Sequence, residues 1–164
     1  LASEMTKRIG PTPEPNTTMI WAWHRWAGVN RPRPDMRYSG HAPRGEPLVM
    51  LELLVPASEA LLSDLDAWLA PLNGAYLPQS ERDDDAFHER LKRHSEHTAR
   101  RGREFLDRYP NELHQEVIES WQRIFDLERD DDYYTNPPTQ KRVQATLWEL
   151  RLETVQRTRR YTAR

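Results

Sequence analysis

Six tryptophans stand in a chain in which 30% of the residues are charged and only 37% are hydrophobic. With six tyrosines and three phenylalanines beside them, they are more aromatic surface than an unfolded polar chain carries. The 164 residues are therefore expected to collapse around a few apolar runs and to leave long polar segments in water. Five of the six, Trp21, Trp23, Trp68, Trp121 and Trp148, fall on segments with a recognisable period. They form the framework from which the fold is read.

Residues 1–9 read as a helix, with Ala2, Met5 and Ile9 at helical spacing. Gly10, Pro11, Pro13 and Pro15 stop it and give an extended linker. Met19 to His24 reads as a strand with Trp21 and Trp23 on one face. Asn30 to Pro47 is a loop rich in Arg, Pro and Gly. Leu48 to Val55 is almost continuously apolar and reads as a central strand covered on both faces. Ser63, with Asp66 three residues on, predicts the capped start of a short helix ending at Asn73-Gly74. Ser80 caps a long polar helix broken by Pro110, and an amphipathic helix follows from Asn111 to Leu127. Val143 to Val155 alternates in its middle like a half-buried strand. The resulting expectation is a single α+β domain over 1–164: one small mixed or antiparallel sheet from 19–24, 48–55 and 143–155, with helices 64–73, 81–109 and 111–127 packed on it. Trp68 and Trp121 then belong to the core, whereas Trp21, Trp23 and Trp148 sit on strands where they are able to line a site.

Composition narrows function mainly by exclusion. The absence of cysteine removes disulfides, thiolate metal sites and a cysteine nucleophile, and suits a cytoplasmic protein. No apolar run reaches the ~18 residues of a membrane span. A formal net charge of −2 selects no partner, so a nucleic-acid binder needs a local basic patch. P-loop, dinucleotide-binding, nucleophile-elbow and zinc signatures are absent from the sequence. The acidic runs Asp83–Asp85 and Asp130–Asp132 lack the glycine and spacing of a calcium loop, and no metal is expected. The chain begins at Leu1, so a short preceding segment is expected.

Three constellations remain. Trp21, Trp23, His24 and Trp148 are candidate ligand-binding residues, since indole faces stack on a base or ring. Glu52, the one charge in an apolar strand, and Glu149, on the last strand, are candidate catalytic carboxylates, because burial beside a partner such as His24 or an Arg tunes an acid or base. Arg90, His94, His97 and Arg101 lie on one stripe of the long helix and are candidates for an anion such as a phosphate backbone.

Several blocks together resemble a bacterial and phage family catalogued as a domain of unknown function. They are Ile20-Trp21-Ala22-Trp23, Leu51-Glu52-Leu53-Leu54-Val55-Pro56, Leu61-Leu62-Ser63-Asp64 with Trp68, Ser120-Trp121-Gln122-Arg123-Ile124-Phe125-Asp126-Leu127 and Gln144-Ala145-Thr146-Leu147-Trp148-Glu149. The resemblance spans Met5 to Val155 and implies an additional N-terminal strand and helix. A looser similarity is to ADP-ribosyltransferase-like domains. It implies NAD as substrate, Glu149 as the catalytic carboxylate and the Trp21–Trp23 region as the nicotinamide site. Three functions therefore stand: a domain binding a ligand or partner, such as a nucleotide or protein, through an aromatic pocket and needing no cofactor; an NAD-dependent transferase of phage or toxin type; and an RNA- or DNA-backbone binder.

Overall fold

A computed structural model describes residues 1–36, 38–95, 106, 109–131 and 133–163. The elements in order are α1 (Ala2–Arg8), β1 (Ile20–Arg25), β2 (Pro47–Leu53), β3 (Leu61–Asp64), α2 (Leu69–Leu72), α3 (Glu81–Ser95), α4 (Asn111–Ser120), β4 (Val143–Leu147) and β5 (Val155–Thr162). Single 3-10 turns lie at Ser39–His41, Ala57–Glu59, Trp121–Phe125 and Leu152–Thr154. The fold is α+β, as expected. Among the described residues, no helix is long and apolar enough to cross a membrane.

The strands form two sheets rather than one: a three-stranded sheet in the order β1-β4-β3 and a two-stranded sheet of β2 and β5. The contacts divide into two compact units, Leu1–Ala27 with Arg31–Leu62 and Val143–Arg164, and Gly28–Asn30 with Ser63–Arg142.

In the first unit β4 is the central strand. Val143, Ala145, Thr146 and Leu147 are all buried, and β1 runs antiparallel beside it with Ile20 opposite Leu147 and Trp23 opposite Gln144. The expected central strand, 48–55, lies elsewhere. Its residues from Pro47 to Leu53 pair only with β5, and Val49, Leu51 and Leu54 are 56%, 39% and 69% exposed. Its continuous apolar run resembles a strand covered on both faces, but one face is uncovered, so alternate residues are in water. The expected strand 143–155 also divides. It ends at Leu147; the Trp148 indole N–H donates to the Gly10 carbonyl at 2.9 Å, Leu152 is 86% exposed, and pairing resumes only in β5. Glu149 therefore does not stand on a strand.

In the second unit, the expected helix from residue 64 shrinks to α2. Ser63 lies in β3, where its hydroxyl accepts the Trp68 indole N–H at 3.0 Å, and Asp64 accepts the Asp66 amide at 2.9 Å. Strand pairing thus overrides the local capping signal. Ser80 does cap α3, accepting the Asp83 amide at 3.2 Å, and Glu81, Asp83 and Asp84 lie where a helix dipole favours negative charge. Residues 96–105, in the expected continuation of this helix, lie outside the described residues. The expected helix 111–127 is α-helical to Ser120 and tightens to 3-10 geometry over Trp121–Phe125. Its buried stripe, Leu113 and Val117, joins Tyr76 and Phe87 in one core cluster; Ala67, Ala70, Leu77 and Ile124 form a second. Tyr76 and Phe87 stack at 4.0 Å between centroids. Trp68 and Trp121 pack on these clusters, and the Trp121 indole N–H donates to the Ala75 carbonyl at 2.7 Å.

Polar groups fasten this unit. Lys141 and Asp64, with side chains 1% and 3% exposed, form an ion pair at 3.2 Å. Thr135 sits between them: its hydroxyl accepts from Lys141 at 2.6 Å and donates to Asp64 at 2.5 Å. Asp83 accepts from the Tyr76 hydroxyl at 2.9 Å and the Gln79 amide at 2.7 Å. Burial works to raise the Asp83 pKa, but the Gln79 N–H, the Tyr76 hydroxyl and the Arg123 and Arg90 charges outweigh it, so its carboxyl titrates below the ordinary 3.8.

Two outcomes follow from these groups. Lys141→Met leaves a buried carboxylate without its cation and is expected to cost about 3–5 kcal/mol, whereas Arg142→Ala, removing the more exposed Asp66 pair, costs about 1 kcal/mol or less. Urea midpoints measure both. Because the folded pKa of Asp83 is depressed, its stabilisation is complete above the unfolded value and is lost as pH falls through the lower folded value. Melting temperatures below about pH 4 should therefore fall more steeply for the native protein than for Asp83→Asn.

Candidate aromatic site

Strand β1 carries a bulge. Trp23 opposes Gln144 and Arg25 opposes Val143, so His24 is the extra residue. An extra residue reverses the alternation of the side chains that follow it. Trp26, three positions after Trp23, consequently comes to the same side, and their rings meet edge to face with centroids 4.6 Å apart. A perfect strand would have put them on opposite faces. The chain then turns back on itself: the Trp26 amide donates to the Pro32 carbonyl at 2.9 Å and the Ala27 amide to the Arg31 carbonyl at 3.0 Å.

That turn delivers the following loop to Trp26. Tyr38 lies edge to face with it at 5.5 Å and His41 lies tilted at 5.4 Å, while Tyr38 and His41 are 5.4 Å apart and perpendicular. One His41 ring nitrogen hydrogen-bonds with the Asp35 carbonyl at 2.8 Å, which orients the imidazole. Gly40 makes room for the Tyr38 ring, since a Cβ at residue 40 would come 2.4 Å from it. Tyr38 remains 55% exposed, and Trp23 and Trp26 are half-buried. Four rings thus meet in a loop with one open flank. This arrangement offers π-faces and ring edges for stacking, and its loop also brings Arg31, Arg33 and Arg44.

Arg33 reaches Glu52 on β2, its Nη2 lying 3.4 Å from Oε2. Arg159 of β5 lies 3.7 Å from Oε1. Glu52 therefore has arginine partners, as a carboxylate in an apolar strand requires. Its Oε1 is buried and makes no hydrogen bond among the described residues.

The other expected residues are scattered. Trp21 is 45% exposed opposite Thr146. His24 is the bulged residue; partial burial first, and then the Arg25 charge, hold its pKa below 6.5. Trp148 uses its indole N–H on Gly10. Glu149, with its side chain 51% exposed, lies 3.5 Å from Arg151, which also contacts Glu153 and Glu59. Arg90 is paired with Glu116 and lies over the Phe87 ring. It is therefore not an open anion site. His94 is exposed near the last described turn of α3, and His97 and Arg101 lie outside the described residues.

The family assignment rests on most of the chain. The model of a domain of unknown function, DUF3841, matches residues 1–156. The protein belongs to the DUF3841 family. No curated protein and no solved structure matches it. Trp23, Trp26, Tyr38, His41 and Glu52 all fall inside the DUF3841 match.

Trp26, Tyr38 and His41 escaped the sequence reading. A bulge leaves no periodic trace, and the two loop residues sit in a segment read only as a connection. The usable signal was the concentration of Trp, Tyr and His around a loop rich in Pro and Gly, because binding residues are often carried on loops held by a scaffold. Gly40→Ala tests the geometry. It should displace the exposed Tyr38 ring and change the near-ultraviolet circular dichroism of the cluster, while the far-ultraviolet spectrum and melting temperature stay as they are. An unchanged near-ultraviolet spectrum would mean that Tyr38 does not rest on Gly40.

Proposed function

We propose that this protein is a ligand-binding module whose ligand is of the nucleotide class, a planar ring joined to an anionic group. The observation that carries the reading is the contact of Trp26 with three other rings, Trp23, Tyr38 and His41, beside the open flank of Tyr38. A base stacked on such a surface gains about 1–3 kcal/mol. Arg31 and Arg44, exposed and without an ion pair among the described residues, supply charge for a phosphate. In this reading His24 is a neutral neighbour near pH 7, and Trp21 and Trp148 flank rather than form the site.

The transferase reading required a carboxylate on the last strand facing the aromatic residues. Glu149 stands off the strand and beside Arg151, so binding without turnover is the simpler account.

Tryptophan fluorescence in titrations with AMP, nicotinamide mononucleotide and NAD tests the proposal, with ribose 5-phosphate as the ring-free comparison. Saturable quenching by the nucleotides alone is expected, weakened roughly tenfold or more by Tyr38→Ala, a substitution at an exposed ring that leaves the fold intact. Equal response to ribose 5-phosphate, or no response to any nucleotide, would remove the reading. Release of nicotinamide from NAD, lost in Glu52→Gln, would replace it with the transferase.

A further inference from the structure

The β2–β5 ribbon presents a face that nothing in its own unit covers. Residues opposite one another in an antiparallel pair share a face, and the register places Val49 opposite Arg160, Leu51 opposite Thr158 and Pro47 opposite Thr162. Val49 is 56% exposed, and Thr158, Arg160 and Thr162 are exposed as well. The opposite face carries Glu52 against Arg157 and Met50 against Arg159. On the ribbon the charges are three arginines and one glutamate. The glutamate is taken up by Arg33 and Arg159, whereas Arg157 and Arg160 form no ion pair among the described residues. The unit to which the ribbon belongs has 12 Lys and Arg against 8 Asp and Glu, a formal charge of +4 within a chain of net −2.

We infer that this ribbon is a DNA-binding element that enters the major groove of a B-form duplex with its Val49–Leu51–Thr158–Arg160 face. Shape, chemistry and charge agree. Two strands ~4.8 Å apart make a ribbon that fits a groove about 12 Å wide, and the major groove of B-DNA admits such a ribbon. An exposed face that mixes an arginine, threonines and small aliphatic side chains matches what the groove offers: acceptors on guanine for Arg160, polar base edges for Thr158 and the thymine methyl for Val49 and Leu51. Arg157, on the other face of a strand whose outer edge is unpaired among the described residues, supplies a cation for the phosphate backbone. Other occupants fit less well. A second copy of the ribbon laid face to face would put two Arg160 guanidiniums in one seam whose ribbon faces carry no carboxylate, and an apolar protein surface would bury guanidinium groups without counter-charges. This element uses none of the residues of the helical stripe at 90–101 or of the aromatic cluster.

The test is anisotropy of a labelled mixed-sequence DNA duplex titrated with the full chain over a range of salt. Expected is a steep fall in affinity with salt. Arg157→Ala should lower the log–log slope by about 1. Arg160→Ala should weaken binding about fivefold or more and narrow the difference between duplexes of different sequence. Arg82→Ala, at the exposed start of α3, should leave affinity unchanged. All three substitutions remove exposed side chains, and far-ultraviolet circular dichroism checks that each variant is folded. Four results would overturn the inference: no binding at low salt; binding that neither ribbon variant alters; equal affinity for duplex RNA of the same sequence, whose deep, narrow major groove does not admit a ribbon; or self-association abolished by Leu51→Lys, which would assign the face to a second copy.

Discussion

The second unit depends on a buried charge pair closed by a hydroxyl. Lys141 and Asp64 meet with almost no access to water, and Thr135 satisfies both at once. Neither charge would be tolerable there alone. Together they bring the residue ending β3 against one standing just before β4, so the whole intervening excursion leaves and returns at one place. The Leu65 amide on the Arg142 carbonyl and the Asp66–Arg142 pair repeat the same closure one step further out. Gly28 adds a third tie. Its φ of +73° and its approach to the Thr139 backbone leave no room for a Cβ, and the next amide, that of Val29, donates to the Thr139 carbonyl.

Indole nitrogens divide the tryptophans more sharply than burial does. Trp68, Trp121 and Trp148 each donate to a fixed acceptor, Ser63, Ala75 and Gly10 respectively, and the last two thereby tie together distant parts of their own units. Trp23 and Trp26 are instead arranged by other rings. A tryptophan committed through its N–H is scaffold. One held only by ring edges keeps a face for something else.

Much of the fold was legible because amphipathic periods and caps are local. The N-terminal helix, β1, the Ser80 cap and the buried stripe of α4 all follow from residues within a turn or two of each other. What was not legible is non-local. Leu48–Val55 looks central until one knows that it has a single neighbour, and Val143–Leu147, with its short mixed composition, gives no sign of being the strand buried on both faces. Ser63 with Asp66 three residues on has the form of a capping box, and only pairing in the sheet cancels it. At the site, Glu52 was found because a charge in an apolar run requires partners, and Trp23 because it alternates. Trp26 was missed because one bulged residue, His24, exchanges the two faces of the strand and no composition rule registers an exchange of parity, and Tyr38 and His41 because they lie in a loop read only as a connection.

That bulge gives β1 an unusual kind of sensitivity. Substituting a side chain near His24 changes one contact, but drawing His24 into a regular ladder at the same spacing would turn Trp26 away from Trp23, taking the loop with Tyr38 and His41 out of register at the same stroke. The match between the spacing of the two tryptophans and the presence of the bulge, more than the chemistry of any residue between them, is what a lineage preserving this cluster has to keep.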